Sequence, residues 1–207
     1  MPVRAPVRCG IVVIRKAQSE ASALLVQTAF EQIGGQAFRA WADGDDAKQE
    51  TSALQMFSKF CDLILVVGAR DDGAGDCAGG LCIPRVFTVA ESCVCVDLPA
   101  EPQAALGSFV SFVVPLVRRL QGRPALPAPP RRAIDESSTP ICDGEIMWAS
   151  ARGEGASLRV RARQPLPGHE LQSLAGISGI AWKVQDIAAQ RAENAVALFL
   201  PLHEWLD

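Results

Sequence analysis

The residues best suited to bind a ligand are concentrated in the loop Gly68-Ala-Arg-Asp-Asp-Gly-Ala-Gly-Asp76, which combines glycines, carboxylates and one arginine. Glycines let backbone N–H groups approach an anion, and aspartates can hold Mg²⁺ or hydrogen-bond a polar heterocycle. The loop follows an apolar strand, and ligands of open α/β sheets bind at the carboxyl ends of strands. It matches neither the Walker A pattern nor G-x-G-x-x-G. A solvated surface loop made of turn residues is the alternative.

A second candidate is Leu98-Pro-Ala-Glu-Pro102, which lies between a predicted strand and a predicted helix. Helix N-termini offer unpaired N–H groups and a positive dipole end to a phosphate. Glu101 would occupy that favourable position itself and repel an incoming anion. The segment is therefore either an anion site or a rigid turn that supplies its own cap.

Two side-chain patterns lie outside these segments. Arg159, Arg161 and Arg163 alternate along a predicted strand and share one face, which is either solvated or a docking surface for an anionic ligand or partner. Cys93 and Cys95 also share a strand face. Because no histidine or further cysteine pair accompanies them in sequence, they indicate buried structural thiols rather than a zinc site.

The elements that must position these residues alternate between strand and helix. Continuous apolar runs predict buried strands, and apolar residues at helical spacing predict the helices between them. The predicted strands are Arg8–Ile14, Gln36–Trp41 and Asp62–Gly68, and the predicted helices are Ser19–Ile33, with Ser19 as N-cap, and Ala47–Phe60. This βαβαβ order predicts a parallel sheet with right-handed crossovers.

The second half of the chain changes character. Two short strands, Arg85–Val89 and Cys93–Asp97, precede a long helix, Pro102–Leu120, with a kink expected at Pro115. A proline-rich stretch then predicts an extended linker over residues 125–141. Further strands are expected at Glu145–Ala151, Leu158–Arg163, Gly179–Val184 and Ala195–Leu200, with a short helix at Glu170–Ala175. The sequence thus predicts an α/β domain at 1–124 and a small β-rich domain at 142–207.

The composition is typical of a soluble, packed protein, with 207 residues, 49% hydrophobic and 21% charged, and a net charge of −3. A general nucleic-acid binder would need a surplus of Lys and Arg, so that class is disfavoured. The longest uncharged run, Pro102–Val117, is shorter than the roughly 20 residues that a bilayer requires, so we expect no membrane span. Seven cysteines without a C-x-x-C pair, and no apolar leader, predict reduced thiols and a cytoplasmic location.

Three stretches resemble one protein family. Leu98–Gly122 is similar to the L-P-G-N-P-x-S-A-L segment of MoeA-type molybdopterin molybdotransferases, the gephyrin family, including the following helix, its internal proline and the closing R-R-L-x-G. Asp62–Asp76 resembles the family's strand ending in S-G-G-x-S-x-G-D-x-D, and Met147–Leu202 resembles its small C-terminal β-domain. The resemblance covers essentially the whole chain. It reaches the family's molybdopterin-binding domain and last domain, and we expect the two N-terminal domains to be absent.

The resemblance implies a three-layer α/β domain with a mainly parallel sheet, followed by a small barrel-like β-domain. It also implies a molybdopterin ligand, free or adenylated, into whose dithiolene the family inserts molybdate with Mg²⁺. By position, Gly68, Gly73 and Asp76 match the loop, and Leu98, Pro99 and Pro102 match the second motif. The expected polar contacts are Arg70, Asp71 and Asp72, close backbone approach is expected at Gly73 and Gly75, and the expected metal ligands are Asp71 and Asp76.

The motifs also depart from the family pattern. Ala69, Asp71 and Ala74 replace a glycine, a serine and an aspartate of the loop, and Ala100-Glu101 replaces Gly-Asn. Each change removes a ligand contact or adds negative charge where a terminal phosphate would lie. We therefore expect a homo-oligomeric, MoeA-like protein that binds the cofactor or a molybdoenzyme partner without full insertase activity. The alternatives are an active molybdotransferase with altered ligands and a non-catalytic oligomerising module.

Overall fold

The computed structural model describes residues 6–15, 18–44, 46–68, 84–90, 93–125, 130–138, 141, 146–163, 177–183 and 196–201. These residues form two compact units, one ending at Ala125 and the other beginning at Pro130. No helix in these ranges is both long enough and apolar enough to cross a membrane.

The first unit alternates strands and helices, as the apolar patterning predicts. Its strands are β1 (Arg8–Arg15), β2 (Gln36–Asp43), β3 (Leu63–Val67), β4 (Val86–Val89) and β5 (Cys93–Leu98), and its helices are α1 (Ser19–Gln32), α2 (Ala47–Phe57), α3 (Pro102–Ser108) and α4 (Val114–Leu120). The strands form one sheet in the order β2-β1-β3-β5-β4. All neighbours are parallel except β4, which runs antiparallel to β5.

Helices cover both faces of this sheet. Because β2 and β3 flank β1 on opposite sides, right-handed crossovers place α1 and α2 on opposite faces. On the α2 face, Phe57 belongs to a buried cluster with Val12 and Ile64. On the other face, Phe30 of α1 meets Phe109 edge to face, with ring centroids 6.5 Å apart. The predicted three-layer arrangement is therefore confirmed.

The long helix after β5 is interrupted by a wide turn. Between α3 and α4, Phe109–Val113 form a π-helical turn directly before Pro115, where the sequence predicts a kink. Proline has no N–H to donate to the carbonyl four residues earlier, so the regular bonding pattern cannot continue through it. The apolar side of this turn, including Phe109, is nevertheless fully buried.

The second unit is a closed five-stranded barrel. Its strands are β6 (Arg131–Asp135), β7 (Ile146–Arg152), β8 (Arg159–Arg163), β9 (Gly179–Lys183) and β10 (Val196–Pro201). They close in the order β10-β6-β8-β7-β9, and β10 pairs with both β9 and β6. Inward residues such as Met147, Val160 and Phe199 form its core. The predicted barrel-like β-domain is confirmed.

The expected linker contains one of these barrel strands. β6 lies within residues 125–141, pairing antiparallel with β10 and parallel with β8. After it, the Asp135 carboxylate accepts hydrogen bonds from the backbone N–H groups of Ser137 and Ile141, at 2.9 and 3.1 Å. This part of the stretch is therefore integral to the barrel. The predicted helix Glu170–Ala175 lies outside the described residues.

Candidate functional site at the carboxyl edge of the first sheet

Three parallel strands end side by side at one edge of the first sheet. β1 ends at Arg15, β3 is followed by Gly68, and β5 ends at Leu98. After β1 the chain crosses to β2 on one side, whereas β3 lies on the other side. This reversal makes the β1/β3 boundary a topological switch point, where open α/β sheets bind their ligands.

Ser19 lies at this switch point with an unsatisfied side chain. It is the first residue of α1, only 1% of it is exposed, and its hydroxyl has no hydrogen-bond partner among the residues described. Burying a hydroxyl without a partner costs free energy, because its hydrogen bonds to water are lost and not replaced. Such groups are therefore rare in native proteins. The hydroxyl is therefore a candidate hydrogen-bond partner for a ligand at this edge.

Gly68 provides the close approach next to Ser19. Its φ is +85°, and a Cβ at this position would overlap the Ser19 hydroxyl and lie 3.0 Å from the Ile14 carbonyl oxygen. Its N–H donates to the Leu98 carbonyl at 2.9 Å. Glycine is therefore required here both by its backbone conformation and by the space available.

The N-cap residue of α1 does not cap the helix through its side chain. This residue is Gln18, and its φ is 70°. The sequence predicted that Ser19 would be the cap; that prediction is wrong, because the left-handed turn at Gln18 brings Ser19 inside the helix. A helix N-terminus carries a partial positive charge and unpaired N–H groups. These groups attract a phosphate or carboxylate, whereas Glu20 in the first turn places a negative charge at the same helix end.

The N-terminus of α3 is already occupied by its own side chain. The Glu101 carboxylate accepts hydrogen bonds from the N–H groups of Gln103 at 2.9 Å and Ala104 at 2.6 Å. Of the two interpretations of this segment, the structure supports the self-capped turn. The Ser22 hydroxyl donates to the Ala100 carbonyl at 2.5 Å, which fixes the turn against α1.

Asp97 is a second ionisable group near this edge that the sequence did not single out. It precedes Leu98 on β5, so its side chain points to the α2 face rather than to the Ser19 side. Burial raises the pKa of the Asp97 carboxyl to about 6, Arg85 lowers it, and the negative charge of Glu50 on α2 raises it. Its position at a strand end would have been the only signal in the sequence.

The predicted site residues divide into two groups. Gly68, Leu98, Pro99 and Pro102 lie along the strand-end edge and the turn that follows it. Those of the loop lie outside the described residues, namely Arg70, Asp71, Asp72, Gly73, Gly75 and Asp76. Within the described part of the chain, no three His, Cys, Asp or Glu side chains are grouped as metal ligands.

The two cysteines pack into the core, and one arginine of the stripe, Arg159, is paired with a carboxylate. Cys93 and Cys95 are buried with Cys61 in the α2-side core. Burial raises the pKa of the Cys95 thiol to about 12, so it stays protonated, as structural thiols do. In the barrel, Arg159 and Arg152 both bond the Glu136 carboxylate, and these hydrogen bonds lower the pKa of Glu136.

No protein-family model matches the sequence, and no curated protein matches it. Among solved structures, a molybdenum cofactor biosynthesis protein from Pyrococcus furiosus aligns over 96% of this chain and 70% of its own, with 16% identity and a TM-score of 0.61. A molybdopterin biosynthesis MoeA protein from Pyrococcus horikoshii OT3 aligns over 96% of this chain and 54% of its own, with 16% identity and a TM-score of 0.62. The chain shares the fold of these proteins.

The MoeA fold accounts for both units of the chain. A further MoeA structure, from Pyrococcus horikosii, aligns over 94% of this chain at a TM-score of 0.59 and 14% identity. The chain spans little more than half of the two Pyrococcus MoeA proteins, 54% in each case. The resemblance seen in the sequence motifs is therefore confirmed for the fold. Because the sequence identity is only 14–16%, the chemistry of the site has to be argued from the residues of this chain.

Proposed function

We propose that this protein is a MoeA-like molybdenum-cofactor-handling protein that binds molybdopterin, free or adenylated, at the carboxyl edge of its first sheet. It presents the cofactor to a molybdoenzyme partner and lacks full insertase activity. The shared fold supports the ligand class, because the relatives are described as proteins of molybdenum cofactor or molybdopterin biosynthesis. The observation that carries the proposal is the buried, unpartnered hydroxyl of Ser19 at the switch point.

The residues at this edge suit the phosphate of such a ligand. The Ser19 hydroxyl can donate to a phosphate oxygen, and the α1 N-terminus offers N–H groups and a favourable dipole. Gly68 allows the backbone to lie directly against Ser19, because any side chain there would overlap the hydroxyl. Arg70, Asp71, Asp72, Gly73 and Gly75 stay predicted contacts for the rest of the ligand, and Asp71 and Asp76 stay predicted Mg²⁺ ligands.

The absence of full insertase activity is proposed from charge. Glu101 stands where the family motif has asparagine, and its carboxylate holds the first amides of α3. Those amides are no longer available to an anion, and the negative charge opposes a second anionic group such as molybdate. The site therefore keeps one anion-binding helix terminus, at α1, and has lost the other.

The experiment compares two serines of the same helix. Ser19→Ala removes an unpartnered hydroxyl, so we expect the free energy of unfolding to rise by about 1 kcal/mol. The same change should weaken binding of adenylated molybdopterin roughly tenfold or more, because a hydrogen bond to a charged phosphate is lost. Denaturant unfolding and calorimetric titration measure the two effects.

Ser22→Ala is the matched control. Its hydroxyl donates to Ala100, so we expect lower stability, by about 1 kcal/mol, and an affinity within a few-fold of the wild type. Absence of binding by the wild-type protein at tens of micromolar ligand would reject the proposed function. Molybdate- and Mg²⁺-dependent turnover of adenylated molybdopterin would instead establish an active molybdotransferase.

A further inference from the structure

Strand β2 forms one lateral edge of the first sheet, which is distinct from the carboxyl edge that carries the candidate site. It is the terminal strand on that side, and no described strand pairs with its outer backbone. Its eight residues, QAFRAWAD, include no proline, and the only charged ones are Arg39 and Asp43. The opposite edge strand, β4, has only four residues. The long edge of β2 is therefore suited to pairing with another strand.

Aromatic side chains flank this edge on both faces of the sheet. On one face Trp41 is 46% exposed, and the Arg39 guanidinium lies over its ring, 5.3 Å from the centroid. On the other face Phe60 is 36% exposed and meets Phe38 edge to face at 5.4 Å. A strand paired with this edge would cover part of both aromatic side chains and remove apolar area from water.

We infer that β2 pairs antiparallel with β2 of a second copy of this chain, forming a twofold dimer with a continuous sheet. The twofold axis passes through Ala40. In this register Arg39 of one copy lies opposite Trp41 of the other, and the pair occurs twice because the interface is isologous. On the opposite face Phe38 lies opposite the small Ala42. The first of these pairs joins a cation with an aromatic ring, and the second joins a large residue with a small one.

Other registers are less favourable. A twofold axis at Arg39 places two guanidiniums directly opposite each other. A twofold axis at Trp41 shortens the paired segment of β2 from seven residues to five. The Ala40 register therefore combines long pairing with complementary side chains, and this self-complementarity identifies the occupant as a second copy.

The first test measures the mass in solution. We expect the full-length protein to have the mass of a dimer in light scattering at tens of micromolar. Trp41→Glu should weaken dimerisation at least tenfold and give a monomer under the same conditions. Leu24→Glu, which introduces the same charge at a 55% exposed position on α1, is the matched control and should stay dimeric. A monomeric or trimeric wild type, or a dimer that survives Trp41→Glu, overturns the inference.

Cross-linking tests the register independently of affinity. Directly opposite residues of antiparallel strands have Cα atoms about 4.5–5.5 Å apart, which suits a disulfide. Ala40→Cys should therefore form an intermolecular disulfide on mild oxidation. Ala37→Cys lies about 20 Å from its copy in this register and should not. The wild type reports background from the native cysteines. Equal cross-linking of the two variants contradicts the register.

Discussion

Asp97 is a carboxylate in an environment that disfavours its charge. It lies on β5 beside two buried thiols of the same strand face, Cys93 and Cys95. Burial is the main cause of its raised pKa, and the nearby charge of Glu50 adds to it. Arg85 opposes the shift but does not cancel it. A group of this kind makes the stability of the fold depend on pH in the acidic range.

The sign of that dependence follows from proton binding. The ordinary pKa of an aspartate is 3.8 and that of folded Asp97 is about 6, so between these values the native state binds more protons than the unfolded state. The free energy of unfolding should therefore fall as the pH rises from about 4 to about 6, and the loss is complete at pH 7. Asp97→Asn should remove this slope and raise stability at pH 7 by roughly 1–2 kcal/mol.

Denaturant unfolding at several pH values measures this effect. Glu31→Gln is the control, because Glu31 is an exposed carboxylate of α1. It should leave the slope between pH 4 and pH 6 unchanged. The assignment to Asp97 fails when the asparagine variant keeps the wild-type slope.

At the level of elements, the start of α3 shows how one side chain can both stabilise a helix and change a site. Glu101→Ala should lower the free energy of unfolding by about 1 kcal/mol, because two amides of the first turn lose their acceptor. Glu101→Asn should restore most of it, since asparagine is among the best N-caps. On the proposed function, Glu101→Asn should also bind adenylated molybdopterin more tightly than the wild type. Thermal unfolding and calorimetric titration distinguish these outcomes, and an alanine variant as stable as the wild type would contradict the capping role.

The elements of the first unit could be predicted because their signals are local and strong. The apolar runs of β1 and β3 and the helical spacing of α1 and α2 fix both their type and their order. The first residue of α1 was harder to predict, because the sequence gives no strong signal that a non-glycine residue such as Gln18 adopts the left-handed conformation. The burial of Ser19 without a partner depends on contacts with Gly68, distant in sequence, so no local pattern could reveal it.

At the level of the whole molecule, the two-unit architecture could be predicted, whereas the first strand of the barrel could not. β6 has the sequence RRAID, which follows Pro129 and Pro130 and contains a single fully buried residue, Ala133. Propensity and composition favour an extended linker there. The strand forms because it closes the barrel: its backbone provides hydrogen-bond partners for β10 on one side and for β8 on the other. Barrel closure is a long-range constraint that five residues do not encode alone.

That closure gives a prediction for fragments of the chain. A fragment of residues 126–207 keeps β6 and should unfold in one cooperative transition with a β-type circular dichroism spectrum. A fragment of residues 142–207, which starts where the sequence alone places the second domain, lacks β6 and the turn held by Asp135. It leaves β8 and β10 with unpaired edges, so we expect no cooperative transition and a tendency to aggregate. Adding a peptide of residues 126–141 should restore cooperative unfolding, since the missing strand can pair with the open edges. Cooperative unfolding of the shorter fragment at the same midpoint would show that β6 is dispensable and that the barrel closes without it.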